Sequence, residues 1–471
     1  MKTVVVGSGG REHAIAWALA KSSRVSEVIC VPGNGGTAAE PKCRNIDIPS
    51  SDLAAVVDAC VSELSSPGSA STDSGDAPGR PFVVVGPEDP LAAGLADRLS
   101  EASLRVVGPM RDGAALEASK DTAKRFMDRH GVACAKSETF TDAREAIAAV
   151  RAIAGPCVVK ADGLAAGKGV VVAPDAVTAE RAIKDFMLDG TLGSAGRRVV
   201  IEEYLRGDEI SILAAVSVTP ELAKAGKATI VPFVTARDHK RLRDGAKGPN
   251  TGGMGAIAPV PGVGEATLAR FRSDILEPTL KGLIEEGRDY RGFIFFGLML
   301  TETGPKLLEY NVRLGDPETQ AVLPLMDFDF SDMCDAIVDG TLADFRFAWK
   351  EGYVCAPVAV SAGYPGEYAK GKALSVDAAR AAKEGAKVFI AGAKADGRAP
   401  EGVTAAGVPS SGHNQPALIT SGGRVLASSA FGQTVEEARD RAYRALEACS
   451  FEGMFYRKDI GLPGAAASGE L

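Results

Sequence analysis

Four short apolar runs in the first 110 residues each end at a glycine or at a Pro-Gly pair, and this pattern constrains the fold more than any other feature. The runs are Val4–Val6, Val28–Val31, Val83–Val85 and Val106–Val107. Continuous β-branched runs of this length are typical of parallel strands buried on both faces. Helical stretches lie between them, so the pattern predicts a doubly wound α/β sheet over residues 1–118, with ligands bound where the strands end. The 54 glycines and the aromatic content of 6% fit the many tight turns of such a fold.

The rest of the sequence predicts an α+β central domain and a small β-rich C-terminal domain. The central domain, residues 119–342, contains strand-ending lysines and a hairpin in which Glu302–Gly304 separates two apolar runs. Shorter strands and one helix follow over residues 343–460. Two segments are expected to be solvated insertions and a third a disordered tail: 65–81, 391–416 and 461–471.

Charge and hydropathy exclude several classes of protein. The formal net charge is −8, so a surface that wraps nucleic acid is not expected. The longest apolar stretches, such as Val354–Ala362, fall far short of the ~20 residues that span a bilayer. Met1 runs directly into an apolar strand, so we expect a cytoplasmic protein, or a protein of an organelle stroma if a transit peptide has been removed. The eight cysteines lack zinc-site spacing and are expected to be reduced, mostly buried thiols.

The turn after the first strand, Gly7-Ser8-Gly9-Gly10-Arg11-Glu12, opens a helix and offers bare backbone N–H groups and a helix dipole to an anion. Glu12 stands where a dinucleotide-binding fingerprint has its last glycine, and the second strand ends in Pro32–Thr37 rather than in an acidic ribose reader. NAD is therefore less favoured than a phosphate or phospho-sugar held on the two glycine turns, with Glu88 and Pro90 at a third strand end. The alternative, in which these glycines only turn corners, stays open.

Residues 160–170, KADGLAAGKGV, form a more specific motif. It is not a P-loop, because Gly163 and Gly167 stand one residue too close and Gly169 replaces the Ser or Thr that would bind Mg²⁺. Two lysines, Lys160 and Lys168, flank a turn of small residues between two strands, as a lid over nucleotide phosphates requires. A solvated hairpin is the alternative.

Oxygen ligands further along the chain suit a metal ion. Glu309 and Asn311 lie on one face of a strand, and Mg²⁺ prefers oxygen ligands together with phosphate oxygens. Arg313 points the same way and could clamp a carboxylate or a transferring phosphoryl group. A structural ion pair with Glu318 or Asp316 is the alternative role for Arg313.

Weaker signals lie between these motifs. Ile201–Leu205 and Glu209 could supply a strand edge for adenine and a carboxylate for ribose hydroxyls, although an acidic strand end is usually just solvated. Asp238–Arg241 adds a basic cluster, and Gly248–Gly255 adds a second glycine-rich cradle.

The sequence lacks the signals of covalent catalysis. His13, His130 and His413 have no nucleophile or carboxylate at a motif spacing and are expected to be packing or surface residues. Neither a G-x-S-x-G motif nor the setting of a reactive cysteine occurs, so an acyl-enzyme has no support.

Seven motifs stand in order along nearly the whole chain. They are VVVGSGGREHAIAW at 4–17, VPGNGGT at 31–37, VGPEDPL at 85–91, KADGLAAGKGV at 160–170, DHKR at 238–241, GPNTGGMGA at 248–256 and RLGDPETQ at 313–320. Together they closely resemble the phosphoribosylamine-glycine ligase family of the ATP-grasp superfamily. The two insertions depart from it. The resemblance implies a Rossmann-like pre-ATP-grasp domain at the N-terminus, an ATP-grasp domain with a lid subdomain at about 135–205, and a small β-rich C-terminal domain.

The resemblance also implies a reaction, the second step of purine synthesis. ATP, glycine and 5-phosphoribosylamine give glycinamide ribonucleotide, ADP and phosphate through a glycyl phosphate. A carboxylate is a poor acyl donor and must first be activated, so the task is charge neutralisation and positioning of the phosphoryl group. The implied cofactors are ATP and Mg²⁺ or Mn²⁺. The implied partners are small-molecule substrates, with no nucleic acid and no membrane, and a monomer is expected.

Site residues follow from the resemblance where the motifs match. Nucleotide binding is expected at Lys120, Lys160, Gly163, Gly167, Lys168, Glu202, Glu203, Leu205 and Glu209. Binding of phosphoribosylamine or glycine is expected at Gly9, Gly10, Arg11, Asn34, Thr37, Glu88, Asn250, Gly252, Gly253, Met254 and Arg313. Glu309 and Asn311 are the expected metal ligands, and Arg313, Lys168 and Asp238 the expected catalytic residues.

Two other hypotheses compete with the ligase. A related ATP-grasp enzyme that carboxylates or formylates another purine intermediate would keep Lys160, Glu309 and Asn311 but not both the GSGGREH and the RLGDPETQ motifs. A nucleotide-binding regulatory protein on an inactive scaffold would have lost a lysine or a metal ligand, and the motif positions here retain all of them.

Overall fold

The N-terminal apolar runs form a five-stranded parallel sheet in the order β3-β2-β1-β4-β5. The computed structural model describes residues 1–65, 80–165, 168–396 and 417–465. The elements of this part are β1 Lys2–Gly7, α1 Gly10–Lys21, β2 Glu27–Pro32, β3 Cys43–Asn45, α2 Leu53–Leu64, β4 Phe82–Val85, α3 Glu88–Ala92, α4 Leu95–Glu101, β5 Val106–Val107 and α5 Arg111–Ala118. Buried valines fill both faces of the sheet, so the carboxyl ends of β1, β2 and β4 meet at one edge. The predicted doubly wound sheet is confirmed.

A small lid follows one helix of the central part. The elements are α6 Lys120–His130, β6 Ser137–Phe140, α7 Ala143–Ala152, β7 Cys157–Ala161, β8 Val170–Ala173, α8 Ala176–Met187 and β9 Val199–Glu203. The four strands form an antiparallel sheet in the order β6-β9-β7-β8. Alternating apolar residues of β7 and one face each of α7 and α8 form a core of their own, which includes Ala146, Val159 and Ile183.

The central part is built on long antiparallel strands. Its elements are β10 Asp208–Val218, α9 Pro220–Lys224, β11 Thr229–Asp238, β12 Arg241–Arg243, β13 Lys247–Asn250, β14 Gly255–Ala258, α10 Glu265–Phe271, α11 Glu277–Glu285, β15 Tyr290–Thr301, β16 Gly304–Asn311, α12 Glu318–Val322 and α13 Phe330–Asp339. The hairpin expected around Glu302–Gly304 joins β15 to β16. A bulge in β16 brings Leu308 and Glu309 to the same side, where both line a cavity.

The C-terminal part extends the central sheet. Its elements are β17 Tyr353–Val360, β18 Ala373–Val376, α14 Ala378–Lys383, β19 Ala386–Ile390, β20 Ala393–Ala395, β21 Leu418–Thr420, β22 Arg424–Gly432, α15 Val435–Leu446 and β23 Cys449–Ser450. Strand β14 pairs with β17, so one eight-stranded sheet runs in the order β16-β15-β10-β11-β14-β17-β22-β19. The expected fold class is confirmed, but the sheet passes through the expected boundary at 342–343 without a break. That boundary stays a prediction.

The end of the chain differs from the expected disordered tail. Ala465 is buried, and its carbonyl accepts a hydrogen bond of 2.6 Å from the fully buried Arg457. Arg457 also binds Asp459 and the carbonyl of Arg241, so Ala465 is tied to the body of the protein, while residues 462–464 are exposed. Residues 466–471, and most of the two expected insertions, lie outside the described residues.

Membrane-spanning helices and disulfides are both absent from the described ranges. None of the described helices combines the length and the apolar character that crossing a membrane demands. All eight cysteines lie in the described ranges and are free, and six of them are buried.

Candidate active site

A cavity of about 470 Å³ lies between the lid and the central sheet. Strands β7 and β9 form its upper wall and β10, β15 and β16 its floor, because antiparallel strands send alternate side chains to the same face. The predicted site residues that line it are Lys160, Glu202, Glu203, Leu205, Glu209, Asp238, Asn250 and Glu309. Five of the residues predicted for the nucleotide and one of the two predicted metal ligands thus face the same cavity, whereas Asn311 is not among its lining residues.

The lysine at the end of the lid strand is held by an acidic partner. Lys160 Nζ lies 2.9 Å from Glu202 Oε1 and 3.2 Å from the Leu308 carbonyl, which it donates to. Burial lowers the pKa of Lys160, but Glu202 and Glu309 outweigh it, so the ammonium stays charged. Glu202 is itself buried and lies 3.3 Å from Lys124. In this structure the Glu202 carboxylate is committed to two lysines rather than open to ribose hydroxyls.

The other phosphate-binding candidates lie around this pair. Lys120 begins α6, and its Nζ donates to the Gly163 carbonyl over 3.5 Å. Burial lowers its pKa, and the charge of Lys160 acts in the same direction. Lys168 is exposed on the arm between β7 and β8, and Gly167 lies outside the described residues. Glu203 is also exposed and accepts the backbone N–H of Lys136.

Glu309 is an ionised carboxylate without a direct partner. Burial raises its pKa, but Lys160, Lys240 and Lys120 outweigh burial, and the net shift is downward. Within the described ranges the side chain of Glu309 forms no hydrogen bond and no ion pair, although its backbone belongs to the β15–β16 ladder. Those ranges also hold no group of three or more His, Cys, Asp and Glu side chains that could bind a metal by themselves. A free carboxylate beside this cavity has the oxygen chemistry that a hard divalent ion prefers.

Arg313 is fixed between two acidic residues of the N-terminal part. Its Nη2 donates to Glu117 Oε1 over 2.8 Å and to Asn311 Oδ1 over 3.0 Å, and its Nε donates to Glu88 Oε2 over 3.1 Å. Burial raises the pKa of Glu117 to about 7, although Arg313 opposes that shift. These partners are not the Glu318 and Asp316 considered from sequence. The guanidinium and the predicted metal ligand Asn311 are thus in contact.

Acid should weaken this arrangement. Arg313 and Arg11 outweigh burial and lower the pKa of Glu88 to about 2, below its ordinary value of 4.5. The stabilisation that ionised Glu88 gives the folded state is therefore complete above pH 4.5 and is lost as the pH falls towards 2. We expect Glu88→Gln to lose about 1 kcal/mol at pH 7 and to differ little from the parent at pH 2, since the carboxylate is partly exposed. Urea unfolding across this range, with the exposed Glu101→Gln as control, tests this; parallel stability curves would contradict it.

The helix end expected to offer bare N–H groups is already capped. The Gly9 N–H donates to Glu12 Oε2, and Asp316 accepts the backbone N–H of Arg11. The Arg11 guanidinium donates to Glu12 and lies 3.7 Å from Glu88. Gly10 begins α1, where a Cβ would lie 2.5 Å from Gln320 Nε2. Two carboxylates, rather than open donors, stand at this end of α1.

Asn34 and Thr37 hold their own loop together. The Asn34 amide donates to the carbonyls of Ser8, Gly9 and Ile390 and accepts the N–H groups of Gly36 and Thr37. Thr37 is fully buried, and the single proton of its hydroxyl has two acceptors in reach, Asn45 Oδ1 at 2.8 Å and Asn34 O at 3.0 Å. The side chains of Asn34 and Thr37 are thus engaged in shaping the loop.

The second glycine-rich cradle lies over Asp238. A Cβ on Gly253, which has φ of +116°, would lie 2.6 Å from Asp238 Oδ1, so only glycine fits there. Burial raises the pKa of Asp238 to about 7 despite its ion pair with Lys240. The Gly252 N–H donates to Tyr364 Oη. The side chain of Met254 is fully buried in the core of the C-terminal part, and its predicted substrate role stays a prediction.

Three site residues were missed from the sequence. Lys240 faces Asp238 and raises the positive charge around Glu309. Glu117 holds Arg313 from α5, 196 positions away. Arg457 lines the cavity from the far end of the chain. Only Lys240 carried a signal, as part of the basic cluster at 238–241, since the other two contacts exist only after folding.

The arrangement defines a class of protein. A small antiparallel lid over a central sheet, with lysines and a lone carboxylate between them, is the arrangement of an ATP-grasp enzyme. This class of enzyme uses ATP with a divalent metal. The chain belongs to the phosphoribosylglycinamide synthetase family, since models of its N domain, ATP-grasp (A) domain and C domain match residues 1–117, 118–319 and 354–463.

Individual relatives agree with this family. The chain is 46% identical over 98% of its length to the phosphoribosylamine–glycine ligase of Clostridium acetobutylicum, 99% of which is covered. A solved phosphoribosylamine–glycine ligase of Thermotoga maritima is 32% identical, with a TM-score of 0.75 over 98% of this chain and all of that one. A biotin carboxylase domain from Hydrogenobacter thermophilus, 16% identical with a TM-score of 0.66 over 96% of this chain and 91% of that one, shares the fold alone.

Proposed function

We propose that this chain joins glycine to 5-phosphoribosylamine at the expense of ATP, giving glycinamide ribonucleotide, ADP and phosphate. The observation that carries the proposal is the cavity lined by Lys160, Lys240 and the unpartnered, ionised Glu309, whose charge Lys120 also stabilises. Three cations and one free carboxylate suit a polyphosphate that arrives with a divalent metal. The family supplies the identity of the two substrates that are joined.

The reaction needs positioned charge rather than a protein nucleophile. A glycine carboxylate oxygen attacks the γ-phosphorus of ATP, the bond to the bridging oxygen breaks, and ADP leaves from glycyl phosphate. The amine of phosphoribosylamine then attacks the acyl carbon, phosphate departs, and the amine loses a proton. We assign the phosphates to Lys120, Lys160 and Lys168 and the glycine carboxylate to Arg313. Closure of the lid excludes the water that would hydrolyse the acyl phosphate.

Glu309 and Asn311 are the proposed ligands of Mg²⁺, with Mn²⁺ as a substitute. A divalent ion there would neutralise charge on the phosphate oxygens. Asn311 Oδ1 accepts from Arg313 in this structure. We infer that Arg313 leaves Asn311 when it turns to the glycine carboxylate, which frees the amide oxygen. Glycine binding and completion of the metal site would then be linked.

Phosphoribosylamine is proposed to lie against the three loops at the strand ends. The loop at 8–11, the loop at 33–37 and the cradle at 250–253 meet there with Glu88 and Asp238. The hydrogen bonds between Asn34 and the 8–9 carbonyls support a joint site. The nucleotide base is proposed to lie against the backbone from Glu203 to Leu205, with Glu209 nearby.

Lys168→Ala should weaken nucleotide binding more than turnover. Lys168 is exposed on the lid arm, so its ammonium meets phosphate only when the lid closes. Loss of one charge-assisted hydrogen bond of about 1.5 kcal/mol predicts a roughly tenfold rise in KM for ATP. The measurement is the ATP dependence of ADP release, with Lys184→Ala on the exposed part of α8 as a matched control. An unchanged KM for ATP would remove Lys168 from the site.

The function is tested by ADP release with MgATP and glycine, in the presence and absence of freshly made phosphoribosylamine. Release that requires all three substrates, with glycinamide ribonucleotide identified by mass, is the expected result. Release that is indifferent to glycine would leave the ATP-grasp class intact and overturn the substrates.

We further propose a monomer of the cytoplasm, or of an organelle stroma, that acts on small molecules alone. The free, mostly buried cysteines suit a reducing compartment. Light scattering behind a sizing column, at 48.6 kDa for a monomer, tests the oligomeric state.

A further inference from the structure

The buried imidazole of His13 makes two directional hydrogen bonds that no motif predicted. The backbone N–H of Ile390 donates to Nδ1 over 2.8 Å, so Nδ1 carries a lone pair. The proton is therefore on Nε2, which donates to Glu40 Oε2 over 3.1 Å. Burial lowers the pKa of His13, which keeps the ring neutral. One tautomer is thus fixed by partners on both sides.

The loop at 33–37 rests directly on this ring. A Cβ on Gly36 would lie 2.3 Å from His13 Cε1 and Nδ1, so the backbone there is seated on the imidazole edge. Glu40 follows the short 3-10 turn Thr37–Ala39 and its N–H binds the Thr37 carbonyl. His13 therefore supports the loop from below at Gly36 and holds its end through Glu40.

The same ring connects the loop to the C-terminal part. The Ile390 carbonyl accepts Asn34 Nδ2 over 2.9 Å, and the Ala393 carbonyl accepts the Gly35 N–H over 2.9 Å. Lys387 of β19 donates to Glu40. The end of β19 and the start of β20 therefore clamp the loop, and His13 contacts the end of β19 at Ile390 and the end of the loop at Glu40.

We propose that His13 is a positioning residue for phosphoribosylamine. It fixes the loop at 33–37 between α1 and β19, and this loop binds the substrate. The inference rests on the proposed assignment of this loop to phosphoribosylamine. His13 acts through the loop backbone: its ring nitrogens are both occupied, and it is almost completely buried. The C-terminal part thereby takes part in recognition of the sugar phosphate, although its sequence carries no motif for it.

The test is a set of variants with separate KM values for the three substrates. His13→Asn keeps an acceptor for the Ile390 N–H but does not reach Glu40. Phosphoribosylamine is supplied from ribose 5-phosphate and ammonia. We expect a rise of tenfold or more in KM for phosphoribosylamine, with KM for ATP and glycine within twofold of the parent. Glu40→Gln keeps an acceptor for His13 and should retain most of the parent's affinity for phosphoribosylamine. Equal changes in all three KM values, or none, would overturn the proposal.

Two further variants keep the outcome interpretable. Asn34→Ala removes a side chain of the loop itself, so it should raise KM for phosphoribosylamine if the loop binds that substrate. An effect in Asn34→Ala without one in His13→Asn overturns the role of His13, whereas no effect in either overturns the assignment of the loop. If His13→Asn does not fold, Lys387→Met tests the clamp from its partly exposed side. A selective rise in KM supports the clamp, and an unchanged KM overturns it.

Discussion

Replacing Glu309 by glutamine should reduce kcat about 1,000-fold, which corresponds to about 4 kcal/mol of lost transition-state stabilisation. The substitution keeps the volume of the side chain but removes the Glu309 carboxylate. Nearby lysines keep this carboxylate ionised without forming an ion pair with it. ADP release at saturating ATP, glycine and phosphoribosylamine measures the loss. Turnover equal to that of the parent would refute the metal assignment.

A second readout separates a metal role from a general electrostatic one. Mn²⁺ binding in the presence of ADP, followed by its electron paramagnetic resonance, should weaken at least tenfold in Glu309→Gln. The exposed Glu138→Gln in strand β6 is a matched control and should bind Mn²⁺ as the parent does. If Mn²⁺ affinity is unchanged in Glu309→Gln while kcat falls, Glu309 acts on the lysines and the metal lies elsewhere.

The parts of the site that lie within one motif could be predicted from the sequence. Lys160, Glu309 and Asn311 stand at strand ends, where period-2 alternation fixes the face on which a side chain lies. The bulge in β16 leaves Glu309 and Leu308 on the cavity side. The parallel direction of the strands in the first sheet could likewise be predicted from the buried valine runs.

The parts that depend on long-range packing could not be predicted. Glu202 was expected to be open to a ligand, but Lys124 and Lys160 neutralise it because an unpaired buried carboxylate is costly. Met254 was expected to contribute to substrate binding from a glycine-rich motif, yet its side chain fills an apolar core. His13 was expected to be a packing or surface residue, because its partners lie 27 and 377 positions away.

Arg313→Met should remove both activity and stability, and a second substitution separates the two effects. The change leaves Glu117 buried without its counter-charge, which costs about 3 kcal/mol in systems of this kind. It also removes the proposed clamp on glycine, so kcat/KM for glycine should fall at least ~100-fold, or about 3 kcal/mol. Urea unfolding and glycine-dependent ADP release measure the two losses independently.

The double variant Arg313→Met with Glu117→Gln is the control that decides between a binding role and a structural one. Without Arg313 the pKa of Glu117 should rise above its present value of about 7, whereas the unfolded carboxyl titrates near 4.5. The folded single variant then binds more protons than its unfolded chain, so its stability falls as the pH rises from 4.5 through 7 and beyond. Glutamine at position 117 abolishes this slope and should restore most of the lost stability at pH 8. Glycine turnover should stay low in the double variant, because the guanidinium is still missing. Recovery of glycine turnover together with stability would mean that Arg313 only balances Glu117, and that the glycine carboxylate is held by another cation of the site.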